Sequence, residues 1–188
     1  MFEPNFRYTN KIVNNLIQIS VAREIILNSP FIPKWEVSLR REAIIRNAHS
    51  STSIEGNRLS LEQVSDLAHG RDVTATRKDK QEVLNYLSVL EKLRELSDDK
   101  KITEKNILSI HRMLTEKVLE NQSDCGSYRN RYVVIGNRLT KEIIFRPPAN
   151  KDVPKFMKAL IEWLNYEATK ELDSVIEAGI AHYEFVRI

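Results

Sequence analysis

The chain has 188 residues, 41% hydrophobic and 29% charged, an ordinary soluble composition long enough for one domain or two small ones with a true core. A net charge of +3, with no run of five like charges, gives no electrostatic case for nucleic acid or a membrane surface. The single cysteine, Cys125, excludes an internal disulfide and a multi-cysteine zinc site and suits a reducing compartment. The opening M-F-E-P-N-F-R lacks a basic start followed by an apolar run, and no apolar stretch approaches a membrane span. A soluble cytoplasmic protein is expected.

Apolar periodicity predicts a mainly α fold. Over residues 9–28 it places Ile12, Val13, Leu16, Ile17, Ile25 and Ile26 on a helix that ends at Asn28-Ser29-Pro30. Phe31 and Ile32 read as a connector, with Pro33 set to begin the next helix. That helix runs from Trp35 to a stop at Gly56-Asn57, residues suited to a left-handed helix end. Ser60 and Gln63 have capping-box spacing, and Gly70 closes the short helix they open. Val83, Leu84, Leu87, Leu90 and Leu93 form the stripe of a helix over residues 76–97. Thr103 caps another, carrying Ile107, Ile110, Leu114 and Val118.

One β signal follows. Tyr132, Val133, Val134 and Ile135 face Ile143, Ile144 and Phe145 across a loop containing Gly136 and Asn137, the pattern of a hairpin. A lone hairpin is marginal in water and must pack on helices or act as a mobile flap. Arg146-Pro147-Pro148 ends it. Asn150 is expected to cap a helix with Val153, Phe156, Met157, Leu160, Trp163 and Leu164. The last helical pattern starts near Asp173 and contains Val175, Ile176, Ile180, Phe185, Val186 and Ile188, with no stop signal.

Glu55 is the most informative charge. It stands on the last turn of its helix, with Ser51 one turn earlier on the same face. A carboxylate there lies at the negative end of the helix dipole, so a cationic partner is expected. The alternative is a solvated glutamate at a helix end. His111 and His182 lack metal-site spacing and read as structural. Cys125, in a polar loop without a partner base, reads as non-catalytic. No catalytic residue and no metal ligand is assigned.

The segment Ser51-x-x-x-Glu55-Gly56 resembles the inhibitory helix motif of Fic-domain proteins, S/T-x-x-x-E-G/N. Gly126-Ser127-Tyr128-Arg129, the hairpin and Phe145-Arg146-Pro147-Pro148 are similar to that family's G-x-Y/F-R segment, flap and proline turn. Leu160 to Asn165 looks like the helix after the flap, and Ala181 to Ile188 like the segment immediately before the catalytic signature H-P/F-F-x-D/E-G-N-G-R/K. The resemblance covers about residues 35 to 188, in order.

The resemblance implies a Fic-like helical fold with one β-hairpin flap, its core incomplete at the C-terminal end because the signature is absent from these residues. It divides the chain into an N-terminal helical region, 1–98, bearing the inhibitory helix, and an incomplete Fic core, 99–188. It implies protein adenylylation, the transfer of AMP from ATP to a hydroxyl of a target protein, with ATP and Mg²⁺ as cofactors of the complete family protein. In the family the signature histidine deprotonates the target hydroxyl, the acidic residue holds magnesium and the Gly-Asn-Gly segment cradles the phosphates. The inhibitory glutamate pairs with a catalytic-loop arginine and blocks productive ATP binding. By carry-over Glu55 is the inhibitory anion, Ser51, Gly56 and Asn57 set its helix end, and Tyr132 to Phe145 dock the target strand. The 188 residues are expected to be truncated before the signature and inactive alone. The other reading is a non-catalytic helical module for protein binding or homo-oligomerisation.

Overall fold

The computed structural model describes residues 2–30, 33–96, 101–137, 140 and 142–188. Phe31 and Ile32, read as a connector, fall outside the described residues, as do residues 97–100 and parts of the hairpin loop. The described residues form seven α-helices and one antiparallel hairpin, as the mainly α reading requires. No helix among them is long and apolar enough to cross a membrane. The chain divides into two compact units, Lys34–Arg131 and a second made of Met1–Pro33 with Tyr132–Ile188.

Lys34–Arg131 contains α2 (Pro33–Ile54), α3 (Leu61–Ala68), α4 (Arg77–Leu96) and α5 (Glu104–Thr115). Its core is built from helical neighbours: Ile45 and Ala48 on α2, Val64 and Leu67 on α3, and Val83 on α4, with Leu59 from the connecting loop. Leu87 and Tyr86 pack against this cluster. Only the second half of α2 contributes, for Trp35, Val37 and Leu39 stay exposed. The α4 stripe is likewise split, with Val83 buried but Leu84 and Leu93 exposed, while Val89, outside the stripe, is buried.

Helix ends in this unit follow local chemistry. Gln63 N–H donates to Ser60 Oγ at 3.2 Å and Ser60 N–H to Gln63 Oε1 at 2.9 Å, the expected capping box. Gly70, at φ +74°, closes α3 while Arg71 N–H reaches back to the Asp66 carbonyl at 2.9 Å. Thr103 and Asn106 form a second reciprocal box at the start of α5. The far end of α5 is closed from outside: Nδ2 of buried Asn85 donates to the Leu114 and Glu116 carbonyls at 3.0 and 2.8 Å. Val118, expected on this helix, lies beyond it.

The other unit holds α1 (Asn10–Leu27), α6 (Val153–Leu164), α7 (Ser174–Arg187) and the hairpin. Val153, Met157, Leu160 and Trp163 make one buried face of α6, and Phe2 meets Trp163 edge-on at 5.5 Å. α7 packs on α6 and is capped by Asp173, whose carboxylate accepts from Val175 N–H at 2.9 Å. The expected α6 cap is corrected. Asn150 opens a short 3₁₀ turn, Asn150–Asp152, and the α-helix starts after it at Val153, with Pro154 in its first turn where a missing N–H costs nothing. The α1 stripe exists as periodicity, but no residue of α1 is buried, and Ile17, Val21, Ile25 and Ile26 are all exposed.

Candidate functional site

The predicted residues fall into two sets, one in each unit. In Lys34–Arg131, α2 ends at Ile54 and its backbone turns out at Gly56, φ +94°. Asn57 N–H donates to the Thr52 carbonyl at 3.0 Å and Gly56 N–H to Ser53 at 3.0 Å. This pair of back-bonds is a Schellman closure, and glycine suits it because no Cβ penalty attaches to positive φ. Open space surrounds a Cβ added at Gly56, so the requirement is conformational rather than steric.

Glu55 sits in that closing turn with its side chain exposed, beside Ile54, which is 83% exposed. Among the described residues nothing forms a salt bridge with it, so the cationic partner expected from its position is not supplied there. Ser51, one turn earlier, faces α4: Tyr86 OH donates to its Oγ at 2.8 Å, and that Oγ donates to Asn47 Oδ1 at 3.3 Å. Asn57 is buried and keeps an ordinary φ, so Gly56 alone takes the left-handed position. Its Nδ2 donates to the Asp79 carbonyl at 2.9 Å and to Glu82 Oε2 at 2.8 Å, while its Oδ1 accepts from Leu59 N–H at 3.1 Å. Both amide protons meet acceptors and the oxygen meets a donor, which fixes the orientation of the side-chain amide. Sequence reading missed Glu82 and Tyr86. Their four-residue spacing on α4 was the available signal.

In the other unit the hairpin is smaller than predicted. β1 is Ile135–Gly136 and β2 is Ile143–Phe145, paired Ile135 with Phe145 and Gly136 with Ile143, with an irregularity between them. Tyr132, Val133 and Val134 precede the ladder and are not strand, a correction to the expected four-residue arm. β-branched composition favours a strand only where a partner strand runs alongside, and the ladder stops short of them. Asn137 N–H donates to the Glu142 carbonyl at 2.9 Å, and Arg146 Nη1 to Tyr132 OH at 3.2 Å. A Cβ at Gly136 would stand 2.6 Å from the Glu142 carbonyl oxygen, so glycine is needed there for close approach. Ile143 and Ile144 are exposed along the hairpin.

The remaining candidates take structural places. His111 Nδ1 accepts from Gly126 N–H at 3.0 Å, and burial lowers its pKa below the ordinary 6.5. Gly126, at φ +71°, lies so close to Arg112 and the Leu108 carbonyl that a Cβ would clash at 2.9 and 3.1 Å. Tyr128 of the G-x-Y-R segment is pushed up in pKa by burial and by the Glu104 carboxylate. Buried Cys125 points its Sγ at the Thr115 carbonyl, 3.4 Å away. Glu184, buried on α7, pairs with Arg187 through two short bonds of 2.7 and 2.6 Å, and the Arg187 guanidinium lies over the Phe156 ring. His182 is exposed. Among the described residues no group of three or more His, Cys, Asp or Glu side chains converges.

Residues 101–188 match the Fic/DOC family. A protein adenylyltransferase Fic from Drosophila willistoni is 27% identical over 152 residues, 79% of this chain and 29% of that protein. The chain thus spans less than a third of the length of that curated relative. A Fic family protein from Desulfovibrio desulfuricans superposes with a TM-score of 0.79 at 30% identity, over 100% of this chain and 54% of that one. A Fic domain containing signaling protein from Bacteroides thetaiotaomicron gives 0.75 at 27%, over 85% and 60%. The Fic/DOC match takes in the G-x-Y-R segment, hairpin and α7, and the fold is similar to that of these solved Fic proteins.

Proposed function

We propose that this chain is the inhibitory and target-docking part of a protein adenylyltransferase, in which Glu55 restrains AMP transfer from ATP to a hydroxyl of a target protein. The observation that carries this reading is the solvent-facing Glu55 carboxylate on a closed helix end, without a salt bridge among the described residues and ready for a cation from outside them. An arginine that pairs with it has its charge neutralised and is lost to the ATP γ-phosphate. The hairpin, with apolar side chains exposed, offers backbone groups for β-addition by an extended target segment. Cytoplasmic location, ATP and magnesium belong to the same proposal. The family's signature, with its base, acidic metal ligand and Gly-Asn-Gly cradle, does not occur within these 188 residues.

The test joins these residues to a catalytic segment grafted from the Drosophila willistoni protein adenylyltransferase and follows protein labelling by ATP. A charge-assisted hydrogen bond contributes about 1.5–3 kcal/mol, so Glu55→Gly is expected to raise labelling roughly tenfold to a hundredfold. Full activity with Glu55 in place, or no gain on its removal, returns Glu55 to a solvated helix-end residue. The 188 residues alone are expected to label nothing above a blank. A second reading, a self-associating helical module, is favoured by the exposed row Val13, Ile17, Val21 and Ile25 on α1. Sedimentation across a concentration range separates the two, because this row predicts a mass that rises with concentration.

A further inference from the structure

We infer that Glu82 and Tyr86 of α4 are positioning residues for the inhibitory carboxylate, a polar clasp that sets where Glu55 stands. The inference rests on the inhibitory reading of Glu55 and extends it to residues outside the motif. Glu55 N–H donates to the Thr52 carbonyl at 3.1 Å but its carboxylate forms no salt bridge among the described residues, and the last turn of a helix is where backbone order is ordinarily lost first. The chain is instead fastened on either side of it. Four residues before, Tyr86 OH donates to Ser51 Oγ at 2.8 Å and lies 3.2 Å from Asn47 Oδ1. Two residues after, Asn57 Nδ2 donates to Glu82 Oε2 at 2.8 Å and to the Asp79 carbonyl at 2.9 Å.

Asp79, Glu82 and Tyr86 stand at i, i+3 and i+7 on α4, a single row on that helix. One row therefore holds α2 and the segment that leaves it, with the carboxylate between the two fastenings. The geometry is a two-point mount rather than general packing. Asn57 is buried and uses both amide protons on α4, so no rotation of its side chain recovers the lost bond if Glu82 goes. Loss of either point frees the Schellman turn to swing, and with it the charge that must meet an arginine. Misplacement of a charge by about an ångström is enough to matter at a site built on paired hydrogen bonds.

Two measurements test the clasp. Amide hydrogen exchange on the 188-residue chain reads the Glu55, Gly56 and Asn57 amides directly. The double variant Glu82→Ala/Tyr86→Phe is expected to speed these amides by at least about tenfold while α3 amides change little. Glu82→Gln, which keeps an acceptor for Asn57, is expected to stay near the parent rate. In the protein joined to a Fic catalytic segment, the double variant is expected to raise labelling toward the Glu55→Gly level and to add nothing on top of Glu55→Gly, since it acts through that carboxylate. Unchanged exchange overturns the inference, as does a gain in labelling that persists undiminished in the Glu55→Gly background. If Glu55→Gly raises labelling and the double variant does not, the inhibitory reading survives and the clasp falls. If Glu55→Gly itself has no effect, the inhibitory reading falls first and takes the clasp's role with it.

Discussion

At the Glu55 helix end, backbone back-bonds from Gly56 and Asn57 close α2, and side-chain bonds to Tyr86 and Glu82 tie it to α4. At the hairpin, strands of two and three residues pair with an interrupted register, and their isoleucines face outward. The first region is ordered before any ligand arrives. The inhibitory role proposed for Glu55 would need that order, because each degree of freedom the charge kept would be subtracted from its pairing with a cation. Under the proposed docking role the second would gain order from the strand it adds, as suits a surface meant to accept an extended segment.

The largest effect is expected in the core of the unit that carries the second region. Leu160 is among the most completely buried side chains of α6, and Leu160→Ala should cost about 2–5 kcal/mol in urea denaturation. The hairpin amides should exchange fast in both parent and variant. Protection of the Asn137 amide equal to that of α6 would erase the difference between the two regions. Gly136→Ala comes next. Its Cβ meets backbone, which cannot step aside cheaply, so local pairing should weaken by about 1–3 kcal/mol. NMR shifts should move at residues 135–145 while helical circular dichroism holds, and a shift pattern identical to the parent would show that the strands do not pair in solution.

Smaller effects sharpen the picture of the first region. Ser60→Ala removes the cap of α3, which packs against the same core as α2, and should cost roughly 1 kcal/mol by thermal melting. The least effect is the pH response of His111. Its native pKa is lowered, so the folded state binds fewer protons than the unfolded one as pH falls below the ordinary 6.5. Its contribution is full above that value and is lost as pH drops through the lowered native pKa. The urea midpoint of the parent should fall more steeply from pH 7 to 5 than that of His111→Gln, and equal slopes would remove His111 as the source.

The helix ends at Gly56 and Gly70, the Ser60 capping box and the buried face of α6 were all legible, because each is encoded within a few residues by backbone freedom, side-chain reach or 3.6-residue spacing. The place of Glu55 at a helix end was legible for the same reason. Tyr132 to Val134 were read as strand from composition, yet strand formation depends on a partner at the right register, which composition does not encode. Asn150 has the right residue type for a cap, but the chain spends one 3₁₀ turn before α6 begins. The α1 stripe announced a helix but left its exposure open, since periodicity specifies a face and not what covers it.

Taken by itself, the sequence determined that the chain is mainly helical, where most helices begin and end, and which glutamate stands at a helix terminus. Those are local properties, decided within one or two turns. Only the tertiary structure decided that Asn57 is buried against α4, that Asn85 closes α5, and that Glu82 and Tyr86 flank the charge between them. These bonds join residues 22 to 35 positions apart. Hydrogen-bond partners at that distance are set by how helices pack, and packing follows from the burial of Ile45, Ala48, Val64 and Val83 together, not from any one stretch of chain.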